Sequence, residues 1–77
     1  MHKEALHLML RMKAERLRFG WSQARLAAAA VVGAAEVSRI ETGRLRPYPG
    51  QVEALARALY LQPEELLVEV GDNSAAA

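Results

Sequence analysis

Apolar residues recur at three- and four-residue intervals from one end of the chain to the other. No stretch of any length alternates apolar with polar as a half-buried strand would, so the pattern predicts an all-α chain of five short helices. The first spans residues 3–18, with one apolar stripe through Ala5, Leu8, Met12 and Phe19 and a second through Leu6, Leu10 and Leu17. Gly20 ends it as a left-handed cap. Ser22 is the expected N-cap of the second helix, and Trp21 with Leu26 matches a hydrophobic staple around it. That helix runs through Ala27 to about residue 30 and breaks at Gly33. The third spans residues 34–42, turns Val37 and Ile40 inward and ends at Gly43. Residues 44–50 (RLRPYPG) form a loop fixed by two prolines. The fourth helix, residues 50–59, buries Val52, Leu55, Ala56 and Leu59. Pro63 suits the first position of a short fifth helix, with Glu64 and Glu65 favourably placed in its first turn. Residues 68–70 form an apolar–polar–apolar end, and residues 71–77 read as a flexible tail.

Length and composition narrow what such a chain does. Seventy-seven residues suit one domain, here residues 1–70. There is no cysteine, and the only histidines are His2 and His7, so neither a disulfide framework nor a thiolate or His-based site is expected. No nucleophile–base pair or glycine-rich phosphate loop is visible, so the expectation is a non-enzyme without metal or cofactor. The longest apolar stretch, residues 26–35, is about half of the ~20 residues that span a bilayer. With no export signal visible either, a cytoplasmic location is expected. A single core in fewer than ~80 residues rarely yields more than ~3–5 kcal/mol, which makes self-association a natural expectation. The second stripe of the first helix and the apolar end at residues 66–70 are the candidate faces, unless both pack internally.

The net charge of +1 conceals a division. Residues 1–50 carry nine Lys/Arg against four Glu, whereas residues 51–77 carry one Arg against four Glu and one Asp. A basic half and an acidic half in so small a domain suggest one side that faces a polyanion.

The stretch from Trp21 to Gly43 is the most informative. Two short helices joined by a tight turn must cross steeply, which requires a small residue at the contact, Ala27, and buried aliphatics opposite, Val37 and Ile40. Such a pair can lay its second helix in a major groove while the first crosses the phosphate backbone. Five pieces in register now resemble the Cro and phage-repressor-type (XRE-like) helix-turn-helix family. They are Arg16 through Gly20, W-S-Q-A-R-L-A from Trp21, S-R-I-E-T-G from Ser38, Pro47, and A-L-A-R-A-L from Ala54. The resemblance covers roughly residues 8–67 and implies a compact lambda-repressor-like domain that binds double-stranded DNA, with helices two and three as the helix-turn-helix.

It also implies roles. Gln23 corresponds to a residue that bonds a DNA phosphate and buttresses the recognition helix. Arg25 opposes the helix dipole in the first turn of helix two, a conflict that a docked phosphate would reverse; the alternative is an exposed arginine of no consequence. Ala34, Ala35, Ser38 and Arg39 fall at base-facing positions of helix three. Arg39 is the foremost, because its fork can take guanine O6 and N7 together. Glu36 either accepts from a cytosine amino group or simply complements the start of its helix. Arg16 and Glu41 match a structural salt bridge. Arg44 and Arg46 look like phosphate contacts, with Thr42 and Tyr48 as further hydrogen-bonding candidates. The chain departs from the family pattern in the turn, where Val31 stands in place of the usual glycine and Gly33 in place of a Ser or Thr cap. Helix three also lacks the Gln and Asn pairs that read adenine, so specificity is expected to be modest or carried partly by DNA shape. The reading is a sequence-specific transcriptional regulator, a dimeric repressor on a palindromic operator. The alternative is a protein-interaction module of the same fold, with the alanine-rich third helix as its best argument.

Overall fold

The computed structural model describes residues 8–71. Strand β1 (Leu8–Leu10) leads directly into α1 (Arg11–Arg18), followed by α2 (Gln23–Ala30), α3 (Ala34–Glu41) and α4 (Pro49–Ala58). A single 3-10 turn at Pro63–Glu65 and strand β2 (Glu69–Gly71) complete the order. The strands pair antiparallel with Leu8 opposite Gly71, Met9 opposite Val70 and Leu10 opposite Glu69.

Two expectations are corrected here. Helix one does not run through Leu8–Leu10, which are extended, and its expected start at residues 3–7 lies outside the described residues. The physical reason is at the head of α1, whose N-cap, Leu10, makes no side-chain cap hydrogen bond. Arg11 N–H donates instead to the Val68 carbonyl at 2.7 Å, and Met12 N–H to that of Leu66 at 3.0 Å. The C-terminal segment thus caps the helix with backbone carbonyls, and that docking aligns residues 69–71 beside residues 8–10. The fifth helix is reduced to one turn, in which Gln62 N–H donates to Glu65 Oε1 at 2.8 Å. Among the described residues the fold is therefore four α-helices, a 3-10 turn and a two-stranded sheet rather than five helices alone. Gly71 belongs to β2, and the rest of the expected tail, residues 72–77, lies outside the described residues.

Met12, Leu26, Ala27, Ala30, Val37, Ile40, Leu55, Ala56, Leu59 and Leu66 form the core. Each helix contributes, and Leu66 brings the C-terminal segment in behind them. Val52 is only partly buried. α4 begins at Pro49, one residue before the expected start, since a proline at the first helical position lacks only an N–H that has no helical partner. Gln51 reaches back to accept from Tyr48 N–H at 3.2 Å. Beside the core, Glu15 accepts from Arg18 Nη2 at 2.8 Å and from Arg11 Nε at 3.0 Å. Bonding to Arg18 and then to Arg11 holds its carboxyl below the usual range, against the opposing effect of burial.

The turn between α2 and α3 keeps a left-handed residue, and it is Val31 that adopts it, at φ 59° and ψ 50°. A β-branched side chain there is strained. At 88% exposure the Val31 side chain has almost no packing to offset that strain. Gly33 has ordinary extended angles (φ −73°, ψ 142°) as N-cap of α3. Replacing Val31→Gly should therefore raise stability by about 1 kcal/mol, the relief of strain exceeding the extra freedom of the unfolded chain. In a domain of this size that moves the melting midpoint up by roughly 4–8 °C by circular dichroism; an unchanged or lower midpoint would show that the turn is not strained.

Candidate nucleic-acid interface

The site begins with a buried ion pair. Arg16, in α1, gives Nε to Glu41 Oε2 at 2.8 Å and Nη2 to Glu41 Oε1 at 3.0 Å, while Nη1 donates to the Trp21 carbonyl at 2.8 Å. The side chains of Arg16 and Glu41 are 8% and 1% exposed. Gln23, the first residue of α2, donates its side-chain amide to Glu41 Oε1 at 3.0 Å. One carboxylate on the last turn of α3 thus receives donors from α1 and α2. No buried polar side-chain atom among the described residues lacks a partner.

With its inner side anchored by Val37, Ile40 and Glu41, α3 turns the opposite face outward. Ala34, Ala35 and Arg39 are exposed and Ser38 is half-buried. Spacings of one, four and five residues put these four on one helical stripe. Arg39 makes no ion pair with any described residue. Glu36 Oε1 accepts from Gly33 N–H at 3.2 Å, which gives that side chain a capping role at the head of α3. Thr42 donates its hydroxyl to the carbonyls of Ser38 and Arg39, at 3.1 and 3.2 Å, closing the other end.

Past α3 the chain folds back. The N–H of Arg44 donates to the Arg39 carbonyl at 2.8 Å, so the backbones of these two residues meet at one end of the helix. Arg46 is exposed and borders an open groove whose lining includes Pro47, Tyr48, Pro49, Val52, Glu53 and Glu64. Arg25 is exposed in the first turn of α2, with its guanidinium carbon 5.2 Å from the centroid of the Trp21 ring. Ser22 Oγ caps the same turn by accepting from Arg25 N–H at 3.0 Å. Sequence reasoning did not pair Arg25 with Trp21, although their four-residue separation was a usable signal. The bond from Gln23 to Glu41, eighteen residues apart, has no spacing signal and matches the buttressing of helix three that the resemblance implied for Gln23.

This pair of short helices, with a left-handed turn and an exposed stripe on the second, matches the helix-turn-helix domain model over residues 7–68. The chain belongs to the helix-turn-helix family. Its resemblance is to the Cro and phage-repressor (XRE-like) type, and membership brings the general function, DNA-binding regulation. Among solved structures, the restriction-modification controller protein C.AhdI from Aeromonas hydrophila is similar at 30% identity and a TM-score of 0.69. That similarity covers 74% of this chain and 86% of the controller. A hypothetical transcription factor, NHTF, from Neisseria is similar at 32% identity with the same TM-score, over 74% of this chain and 64% of that one. No curated protein sequence gives a significant match. Among the described residues of this helix-turn-helix protein, no helix is long and apolar enough to cross a membrane.

Removing one partner of the buried pair strands the other charge, so Arg16→Met or Glu41→Leu alone should cost about 3–5 kcal/mol. That is enough to unfold most molecules of a domain this small. The double variant Arg16→Met with Glu41→Leu should recover most of the loss, as read by urea unfolding. Single-variant costs below about 1 kcal/mol would remove the pair from its structural role.

Proposed function

We propose that this protein is a cytoplasmic homodimer that docks α3 of each copy in the major groove of a palindromic operator and represses transcription by occupying promoter DNA. The observation that carries the reading is the outer stripe of α3. Its three small side chains permit close approach to base edges, and its one long side chain, Arg39, pairs with no described carboxylate and is a bidentate donor suited to guanine. In this reading Ala34 and Ala35 offer methyl contacts, for instance to thymine. Ser38 hydrogen-bonds a base edge, and Gln23, Arg25, Arg44 and Arg46 hold phosphates. Arg44 is the best supported of the phosphate contacts, because the loop brings it beside Arg39. Residues 1–70 act as a single DNA-binding domain.

Exposed apolar side chains support self-association. Leu8, Leu67 and Val68 stand at the sheet end, and Leu17 lies half-exposed on α1. A two-fold dimer would set its half-sites about one helical turn, roughly 34 Å, apart. The controller C.AhdI, a structural neighbour at 30% identity, adds support for a regulatory role.

Binding to duplexes of varied sequence over a range of salt tests the assignment. Arg39→Ala should cost about 1–3 kcal/mol on preferred sites and relax the choice of base at one position per half-site. Arg44→Ala and Arg46→Ala should weaken all duplexes alike, and each should reduce the slope of log affinity against log salt by about 0.9. Unchanged affinity in all three would overturn the interface and favour the protein-interaction alternative.

A further inference from the structure

Three of the chain's four aromatic side chains gather where α1 ends and α2 begins, and two arginines lie on them. Phe19 meets Trp21 edge to face with 5.2 Å between ring centroids, and Tyr60 meets Phe19 in the same manner at 6.3 Å. The guanidinium carbon of Arg18 lies 5.7 Å from the Phe19 centroid, and that of Arg25 lies 5.2 Å from the Trp21 centroid.

The two arginines differ in their second partner. Arg18 also bonds Glu15, with Nη2 2.8 Å from Oε1, so a carboxylate matches its charge. Arg25 makes no ion pair with any described residue; what holds it is the face of a ring. A carboxylate partner fixes a guanidinium and neutralises it. A ring fixes it and leaves both the net charge and the outward N–H donors available.

We propose that Trp21 is a positioning residue for DNA binding, its ring holding the Arg25 guanidinium ready to grip a phosphate of the duplex backbone beside α2. The inference rests on the DNA-binding reading above and deepens it. A cation in the first turn of α2 opposes the helix dipole, so helix stability does not account for arginine there, whereas a docked phosphate does. Gln23, the neighbouring candidate for a backbone contact, gives one of its two amide N–H groups to Glu41, which leaves a single neutral donor for a phosphate. Arg25, which pairs with no described carboxylate, is the charged donor group at the head of α2. A guanidinium ordered before binding also loses less side-chain freedom on binding than a loose one. Lysine would carry the same charge without the flat surface that stacks.

The test compares duplex affinity across a salt series for the full-length protein and for Arg25→Ala, Arg25→Lys, Trp21→Leu, Trp21→Phe and the double variant Trp21→Leu with Arg25→Ala. Folding of each is checked by circular dichroism. Arg25→Ala should lower affinity about tenfold and reduce the salt slope by about 0.9. Trp21→Leu should lower affinity about two- to fivefold while keeping the wild-type slope, and Trp21→Phe, which retains a ring face, should restore most of it. Arg25→Lys keeps the charge and the fold and should fall between wild type and Arg25→Ala. In the Arg25→Ala background Trp21→Leu should have no further effect. Trp21 is the chain's only tryptophan, so duplex binding should also change its emission in the wild type and much less in Arg25→Ala.

Equal losses from Trp21→Leu with and without Arg25 would make the ring a packing element only and overturn the proposal. So would wild-type affinity in Arg25→Lys together with Trp21→Leu. If the wild type binds duplex and Arg25→Ala binds equally well, this inference fails while the DNA-binding reading stands. If the wild type shows no salt-dependent duplex binding, the reading fails and takes the inference with it.

Discussion

Glu41 lies on the last turn of α3 with its side chain almost fully buried, and a carboxylate in that position must be matched or it destabilises whatever buried it. The match comes from two other helices. Arg16 of α1 takes both oxygens in a fork, and Gln23 of α2 adds a third donor. The geometry is bidentate and directional, which apolar packing is not. Val37 and Ile40 hold α3 against the core, and the network fixes the rotation of the helix about its own axis. Rotation decides which residues face outward. If α3 rolled by one position in either direction, Val37 or Ile40 would enter the exposed stripe, and in one of the two directions Arg39 would leave it.

The same economy governs the turn that precedes α3. Val31 occupies a left-handed conformation that glycine would take without strain, and Tyr60, after α4, does the same at φ 59°. Both are highly exposed, so neither is held there by burial. The surrounding structure holds them: Val31 N–H donates to the Ala28 carbonyl and Val32 N–H to that of Ala27, closing α2. A single core in a domain of this size rarely supplies more than about 3–5 kcal/mol, against which two such residues weigh heavily. At Tyr60 the strained backbone delivers a ring to the Phe19 edge. At Val31 no compensating contact is evident.

Much of this was legible along the chain, and the failures have a common cause. Helices two to four followed from periodicity together with Ser22, Gly33, Gly43 and the prolines, all local signals. Arg16 and Glu41 were paired by resemblance rather than by spacing, since twenty-five residues separate them. Leu8–Leu10 carried a helical pattern and became a strand because Leu66 and Val68 supply the carbonyls that cap α1, a demand written at the far end of the sequence. Positions 34, 35, 38 and 39 of α3 were picked out by resemblance, and the burial of Val37 and Ile40 leaves 34, 35 and 39 exposed and 38 half-buried. The partners of the Gln23 and Arg25 side chains were not read from spacing, and only the buttressing role of Gln23 was implied by resemblance. Each sits in the first turn of α2, where spacing places the backbone but tertiary neighbours, Glu41 for one and the Trp21 ring for the other, choose the rotamer.

The charges follow the same geometry. Arg11, Arg16 and Arg18 have carboxylate partners, whereas Arg25, Arg39 and Arg44 make no ion pair with any described residue. Cations that pair with no described carboxylate at the head of α2 and the end of α3 are what the proposed phosphate contacts require. The most direct check is to incubate the protein with sheared genomic duplex near physiological salt, recover the bound fragments and sequence them. The account predicts an enriched inverted repeat whose half-sites lie about one helical turn, roughly 34 Å, apart. Recovery of DNA with no enriched sequence, or of no DNA, would contradict it.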